Sequence, residues 1–289
     1  MRNERQYVAK CLESVLAQVT NRPDCEILCI DGRSTDGTAD IVRQFAQSDT
    51  RIELIDNPEQ IVPTGMNRGI AQAKGDVIIR LDCHSSYAPD YIEKCLEVLH
   101  RTEADNVGGY MQTVPGKDTP VGRAIAVATS SKFGAGGSTF RTAGPERQAD
   151  TVPFGCFRRD VFDCFGMYNV RLVRNQDIEL NSRIRKGGGK IVISPEIKLT
   201  YYNRHTYSGL RQQAFYNGLW NPYTLYIVGG GLRLRHFVPM GFVTTIIALA
   251  VAGVWFWPAW IALAAVGALY AAAAGAVAIK EATRAKESI

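Results

Sequence analysis

Short apolar runs alternate with amphipathic segments along the N-terminal half of the chain. Residues 26–30, 51–55 and 76–81 are apolar stretches of the length expected for buried strands. Around them, apolar residues recur at helical spacing, as Val8 and Leu12 do in the first such segment. The predicted helices span residues 7–17, 38–46, 65–73 and 89–100. This repeating order predicts an α/β fold with a mixed, mainly parallel sheet flanked by helices.

The middle of the chain follows the same pattern less regularly. Residues 107–114 and 190–197 have the character of strands, and residues 177–186 have that of a helix. Residues 133–144 are rich in Gly, Ser and Thr and show no apolar period. A loop of this length is more often functional than not, so we expect a mobile segment that closes over a bound ligand.

Two apolar segments dominate the C-terminal fifth of the chain. Residues 237–257 and 259–279 are each about as long as the ~20 residues that cross a hydrocarbon core. Aromatic residues surround Pro258 between them, and Arg233 and Lys280 belong to the basic residues at the two outer ends. The pattern predicts a cytosolic domain, residues 1–231, and a membrane region, residues 232–289, with two transmembrane helices and both ends in the cytoplasm. A buried hairpin is the alternative, but neither segment has a polar face.

Composition adds modest constraints. The formal net charge is +5, and no long Lys/Arg run indicates a nucleic-acid partner. Part of the positive excess lies beside the apolar tail, where it favours an anionic membrane surface. The seven cysteines include no Cys-x-x-Cys pair, which predicts reduced thiols in a cytosolic domain and no zinc site.

Acidic residues follow two of the predicted strands. Ligands in open α/β sheets bind outside the carboxyl ends of strands, and Asp31 lies at such an end. Asp82 and His84 follow another strand, and their alternate positions direct both side chains the same way. A carboxylate and an imidazole together suit a divalent cation such as Mn²⁺ or Mg²⁺. Helix capping by Asp31 and a simple Asp82–His84 hydrogen bond remain the alternatives.

A second group of polar residues lies in the C-terminal part of the predicted cytosolic domain. Asp177 opens a predicted helix, where it can act as a general base or stabilise the helix dipole. Five further residues offer the cation, amide and aromatic groups that bind a diphosphate or a sugar. These are Arg204, His205, Gln212, Gln213 and Trp220. An interfacial helix that lies on the bilayer explains the same residues equally well.

Taken in order, these segments resemble glycosyltransferase family 2 over roughly residues 3–221. Residues 26–38 resemble the family's nucleotide-binding segment, and residues 65–70 with Lys74 resemble the segment before its metal motif. Asp82-Cys-His84 stands where the family usually carries Asp-x-Asp. Asn175-Gln-Asp177 stands where it usually carries Glu-Asp.

The resemblance implies a GT-A fold and an inverting transfer from a nucleotide diphosphate sugar, most often a UDP-sugar. Asp31, Asp82, Asn67 and Lys74 would belong to the nucleotide-sugar site, and Asp177 would be the catalytic base. His84 and Asp82 would hold the metal. The acceptor would be lipid-linked or a saccharide in bacterial exopolysaccharide synthesis, and the enzyme a multi-pass protein of the inner membrane with a cytoplasmic catalytic domain.

Several positions depart from the family's pattern. Gly32 replaces the second acid of an Asp-Asp pair, and Gln176 replaces a common Glu. His84 replaces an acid, as in a subgroup that resembles succinoglycan-type glucosyltransferases. Family members open with an apolar strand that would end at about Met1, so we expect a shortened start. The sequence also ends soon after the second apolar segment, and we expect further membrane helices there.

Two other functions compete with sugar transfer. A shortened family member could be a non-catalytic scaffold in a polysaccharide assembly complex. A nucleotidyltransferase shares the α/β layout, but it should carry a Gly-rich loop with Arg or Lys after its first strand. The Asp177 region and the apolar tail argue against the nucleotidyltransferase.

Overall fold

The computed structural model describes residues 1–134, 136, 138–230 and 232–287. The strands are β1 (Ile27–Asp31), β2 (Ile52–Asp56), β3 (Val77–Ile79), β4 (Ser85–Tyr87), β5 (Asn106–Pro115), β6 (Arg147–Gln148), β7 (Cys156–Arg158) and β8 (Ile191–Asn203). The helices are α1 (Val8–Gln18), α2 (Thr38–Ser48), α3 (Val62–Gln72), α4 (Tyr91–Thr102), α5 (Pro120–Ser130), α6 (Asp160–Phe165), α7 (Gln176–Lys186), α8 (Tyr207–Val228), α9 (Val238–Ala252) and α10 (Pro258–Glu287). Short 3-10 turns lie at Thr139–Arg141 and Leu234–His236.

The strands form two sheets. In the first, β1 and β2 pair in parallel from Ile27↔Ile52 to Asp31↔Asp56. The second has the order β3-β7-β5-β8-β4, with β6 also paired to β8. Its longest ladder, β5–β8, is parallel, and the shorter pairs formed by β3, β4, β6 and β7 are antiparallel. The mixed α/β fold with mainly parallel long ladders is therefore confirmed.

Strand direction places several loops at one edge of the second sheet. Because β7 is antiparallel to both β3 and β5, the strands β3, β5 and β8 run the same way. The residues that follow β3 and β8 consequently emerge at the same edge. Lys74 precedes β3 and so lies at the opposite end of that strand.

Helices cover both faces of the second sheet, as alternation along β8 requires. Ile191 and Ile193 pack in a buried cluster with Leu180 and Ile184 of α7. Val192 faces the other way, into a cluster with α4 residues that include Tyr91, Cys95 and Val98. The predicted strand over residues 190–197 continues to Asn203, because β8 bulges beside the register shift at Gly109/Tyr110 and then pairs again. This double-sided packing fixes α7, the helix that begins beside Asp177.

The C-terminal region differs from the prediction of two membrane-spanning helices. The first predicted span, residues 237–257, is the 15-residue helix α9, which is shorter than the ~20 residues needed to cross a bilayer. It ends because Pro258 starts the next helix and the indole Nε1 of Trp260 donates to the Gly253 carbonyl at 2.9 Å. Among the described residues, only Pro258–Arg284 within α10 is long and apolar enough to span a membrane, and none of its most apolar stretch is buried.

An ion pair connects this region to the rest of the chain, and ring packing connects its two helices. Arg235, in the basic segment before α9, forms an ion pair with Asp150 at 2.6 Å. Part of the positive charge predicted to flank the first span therefore pairs with an acid of the N-terminal part of the chain. The rings of Phe242 and Tyr270 lie 5.0 Å apart, so α9 packs against α10.

Candidate active site

One arginine joins two of the predicted acidic site residues. Arg80 follows β3 directly, and its Nη1 lies 2.7 Å from Oδ1 of Asp177. Its Nε lies 3.2 Å from Oδ1 of Asp82. The Arg80 side chain is only 9% exposed, against 23% for Asp82 and 34% for Asp177. The structure thus brings the start of α7 to the end of β3, and it places a nearly buried guanidinium between two accessible carboxylates.

The environment separates the proton affinities of the two carboxylates. Burial acts to raise the pKa of Asp82, but Arg80 and His84 more than offset it, so this pKa lies below its ordinary value. Burial also raises the pKa of Asp177, and here Arg80 offsets it only in part, while the Asp82 charge adds to the rise. Asp82 is therefore suited to remain an anion, and Asp177 is suited to accept a proton.

A carboxylate orients the imidazole of His84. Nδ1 of His84 lies 3.2 Å from Oε1 of Glu4, and this contact, together with nearby acids, raises the pKa of His84. The Glu4 backbone N–H in turn donates to Oγ1 of Thr38, the first residue of α2. A carboxylate on one ring nitrogen leaves Nε2 to act as a metal ligand, which is the usual arrangement around metal-binding histidines.

Asp82 and His84 have the chemistry of a cation site with open positions. A carboxylate oxygen and an imidazole nitrogen suit Mn²⁺ or Mg²⁺. No group of three or more His, Cys, Asp or Glu side chains could hold a metal ion within the part of the chain that the structure describes. The two residues fit a divalent cation, whose remaining ligands would have to come from outside the protein side chains, such as water.

Asp31 lies at the end of β1, as predicted, and organises the loop that follows. Its carboxylate accepts hydrogen bonds from the backbone N–H and the hydroxyl of Ser34, at 3.0 and 2.6 Å. The same loop meets the N-terminal residues, since the Thr35 N–H donates to Oδ1 of Asn3. Asn3 precedes Glu4, and the loop therefore lies on the His84 side of the site. Contact between Asp31 and a nucleoside stays a prediction.

Asn67 and Lys74 are the other two residues predicted for the nucleotide-sugar site. Both ends of the Asn67 amide bond to the Tyr168 backbone, each at 2.9 Å. Asn67 thereby fixes the segment that leads to Asp177. Lys74 is exposed at the opposite end of β3. The structure does not bring it together with Asp82 and Asp177, because Lys74 precedes β3 whereas Asp82 follows it.

Hydrogen bonds hold α8 against the loop that carries the predicted base. Nδ2 of Asn175 donates to Oδ1 of Asn221 at 3.0 Å and to Oγ1 of Thr224 at 3.1 Å. Nη1 of Arg174 donates to Oδ1 of Asn217 at 3.0 Å. These contacts fix the middle and second half of α8 beside the start of α7.

Three of the five predicted polar residues line a cavity of about 180 Å³ between this loop and α8. The lining consists of Arg174, Arg204, Gly209, Gln212, Gln213 and Tyr216. The other two lie elsewhere. A side chain on Gly122 would meet Cβ of His205 at 3.4 Å, so His205 packs beside α5. Trp220 packs edge-to-face with Tyr223 at 5.2 Å.

The predicted closing loop, residues 133–144, passes beside His84. It contains the 3-10 turn Thr139–Arg141, and positions 135 and 137 lie outside the described residues. The Arg141 guanidinium lies 5.5 Å from the Tyr201 ring. The same ring lies 6.0 Å from the His84 imidazole. Closure of this loop over a ligand stays a prediction.

The chain is similar to several known proteins. The family described as "Glycosyl transferase family 2" matches residues 1–166. The chain is 35% identical to the succinoglycan biosynthesis protein ExoA of Rhizobium meliloti, over 70% of this chain and 61% of that protein. It is 26% identical to a dolichyl N-acetyl-alpha-D-glucosaminyl phosphate 3-beta-D-2,3-diacetamido-2,3-dideoxy-beta-D-glucuronosyltransferase of Methanococcus voltae, over 87% of this chain and 79% of that protein.

Solved structures share the fold. The mannosyltransferase PcManGT from Pyrobaculum calidifontis, solved in complex with GDP-Man and Mn²⁺, has a TM-score of 0.66 at 16% identity. That likeness covers 98% of this chain and 84% of the mannosyltransferase. Staphylococcus aureus TarS in complex with UDP-GlcNAc has a TM-score of 0.54 at 14% identity, over 82% of this chain and 71% of that one. These likenesses confirm the GT-A fold predicted from the resemblance.

Proposed function

Because the chain belongs to glycosyltransferase family 2, we propose that it transfers a sugar from a nucleotide diphosphate sugar to a lipid-linked or saccharide acceptor. The observation that carries the proposal is the Asp82–Arg80–Asp177 cluster beside His84. Two carboxylates of different proton affinity in one accessible site suit one anionic and one basic role. A UDP-sugar is our first choice of donor, and GDP-Man belongs in the same test because a protein of similar fold binds it.

The reaction is a single displacement. Asp177 takes the proton of an acceptor hydroxyl, and that oxygen attacks the anomeric carbon of the donor sugar. The new bond forms between this oxygen and the anomeric carbon as the bond from that carbon to the diphosphate oxygen breaks. The electron pair leaves with the nucleotide diphosphate. Because attack and departure occur on opposite faces, the anomeric configuration inverts.

Asp82 and His84 would hold a divalent cation, and the bound cation would offset the charge that grows on the departing diphosphate. Glu4 fixes the ring of His84 through Nδ1, at 3.2 Å. Arg80 keeps Asp82 ionised and limits its rotation. These neighbours preorganise the two ligands before any donor binds.

The C-terminal helices would anchor the catalytic domain to the cytoplasmic face of the inner membrane. α10 is long enough to cross it, and α9 exposes apolar side chains that include Val243 and Ile247. We propose that the shorter α9 inserts with α10 as a hairpin, which makes the protein multi-pass. Residues 1–231 would then form the catalytic domain and residues 232–289 the membrane region. Such an anchor keeps the site close to a lipid-linked acceptor.

Metal dependence tests the proposal. We expect the full chain in detergent to release nucleotide from one donor of a nucleotide-sugar panel with Mn²⁺ or Mg²⁺ but not with EDTA. His84→Ala should require at least about tenfold more metal for the same rate, because one ligand is lost. His100→Ala is the matched control, since His100 is exposed on α4.

Equal metal dependence in His84→Ala and wild type would remove His84 from the metal site. A wild-type chain that neither hydrolyses nor binds any donor of the panel would favour the scaffold function instead.

A further inference from the structure

The cavity between α8 and the Asp177 loop contains positive charge that no carboxylate of the described residues neutralises. Nη1 of Arg174 bonds to the neutral Asn217 amide, and its guanidinium lies 5.2 Å from the Tyr216 ring. Arg204 has no ion pair among the residues that the structure describes. Two amides, Gln212 and Gln213, complete the polar lining. Guanidinium groups with amide donors beside them can bind a phosphate group through charge-assisted hydrogen bonds.

The cavity lies next to the proposed base. Arg174 precedes Asp177 by three residues, so their Cα atoms lie at most about 11 Å apart. Asp177 contacts Arg80, and through it Asp82. Neither Asp82 nor His84 is among the residues that line the cavity. The proposed cation ligands therefore lie outside the lining of the cavity. A donor diphosphate held at Asp82 and His84 leaves the cavity for a different anion.

The surroundings of the cavity suit a membrane surface. The sequence contains no Asp or Glu between Glu196 and Glu281, although several cations lie in that stretch. The outer face of α8 exposes large apolar side chains, with Phe215 65%, Leu219 55% and Tyr226 83% exposed. A helix that combines such a face with an absence of acids fits the interface of an anionic bilayer.

We propose that Arg174 and Arg204 bind a phosphate group of the lipid carrier to which the acceptor is attached. The proposal rests on the function proposed above. The phosphate holds the carrier at the membrane side of Asp177, so that the sugar attached to it presents its hydroxyl to the base. The two glutamine amides assist the arginines and do not take part in the displacement.

Binding of a polyprenyl diphosphate tests this assignment without any transfer reaction. Its affinity for the full chain in detergent is measured by calorimetry for wild type, Arg204→Gln and Arg174→Gln/Arg204→Gln. We expect the double variant to bind at least about tenfold more weakly, because charge-assisted hydrogen bonds to phosphate are lost. Arg211→Gln is the matched control, since Arg211 is exposed on α8 and does not line the cavity. Arg204→Gln removes a side chain without an ion pair, so it should weaken binding without lowering the melting temperature.

Three results would overturn the assignment. Unchanged polyprenyl diphosphate affinity in the double variant would exclude the cavity as its site. An equal loss of affinity for nucleoside diphosphate with Mn²⁺ would make the cavity part of the donor site. A loss of binding only to phosphatidylglycerol vesicles would identify a contact with bulk lipid headgroups.

The same measurements separate this assignment from the proposed function. If polyprenyl diphosphate binds as expected while wild type fails on every nucleotide sugar, the proposed transfer fails and the phosphate site stands.

Discussion

Asp177→Asn should bind its nucleotide sugar as wild type does and lose transfer by about 10³-fold. An amide of the same size can still accept a hydrogen bond from Arg80, now 2.7 Å from Asp177, but it cannot take a proton from the acceptor. General base catalysis contributes roughly 10²–10⁴-fold to rates, and this loss is of that order. The measurement is donor affinity together with the rate of a single turnover on the acceptor.

Asp163→Asn is the control, because Asp163 is an exposed acid on α6. It should leave both quantities unchanged. A turnover rate in Asp177→Asn within a few-fold of wild type would exclude Asp177 as the base. A large loss of donor affinity would instead assign Asp177 to the donor site.

Arg80→Met should unfold more easily and lose transfer. Removing the guanidinium leaves Asp82 and Asp177 close together without their shared partner. Breaking a buried pair costs roughly 3–5 kcal/mol, and we expect about 2–4 kcal/mol here because both carboxylates are partly exposed. Arg80→Lys should recover only part of either property, since an ammonium is a point charge that cannot bridge both acids with a planar fork.

A second arginine of the chain provides the matched control for this effect. Arg101 also binds two carboxylates, Glu146 at 2.7 Å and Glu196 at 2.9 Å, but it is 48% exposed. Arg101→Met should change the free energy of unfolding by less than about 1 kcal/mol. Chemical denaturation of the two variants compares them directly. Equal losses in the free energy of unfolding would show that the buried position of Arg80 does not increase its contribution to stability. Transfer by Arg80→Met at the wild-type rate would exclude Arg80 from the site.

The sequence predicts the α/β order and the strand ends of the site because these depend on local pattern. Asp31, Asp82 and Asp177 all lie where short apolar runs or helix starts placed them. The sequence did not predict a role for Arg80, because that role depends on the approach of α7 to the end of β3. Arg80 and Asp177, which form the hydrogen bond, are 97 positions apart. The available signal was a charged residue directly after an apolar strand and before Asp82.

Other differences have equally physical causes. A role of Asn67 in donor binding stays a prediction. The bond of its amide to the Tyr168 backbone joins residues 101 positions apart, and no local pattern reveals such a contact. Apolar content alone placed the first membrane span over residues 237–257. It could not show that Gly253 would accept the Trp260 indole and end α9 at Ala252. A hydropathy pattern does not predict helix ends that depend on side-chain hydrogen bonds of this kind.

The anomeric configuration of the product tests the central claim most directly. The full chain is reconstituted in a membrane with Mn²⁺, a nucleotide sugar that it consumes and a lipid-linked acceptor, and NMR determines the configuration of the new linkage. A single displacement assisted by Asp177 predicts inversion relative to the donor. Retention of the donor's configuration would contradict the account, because it requires a second displacement that the proposed site does not provide.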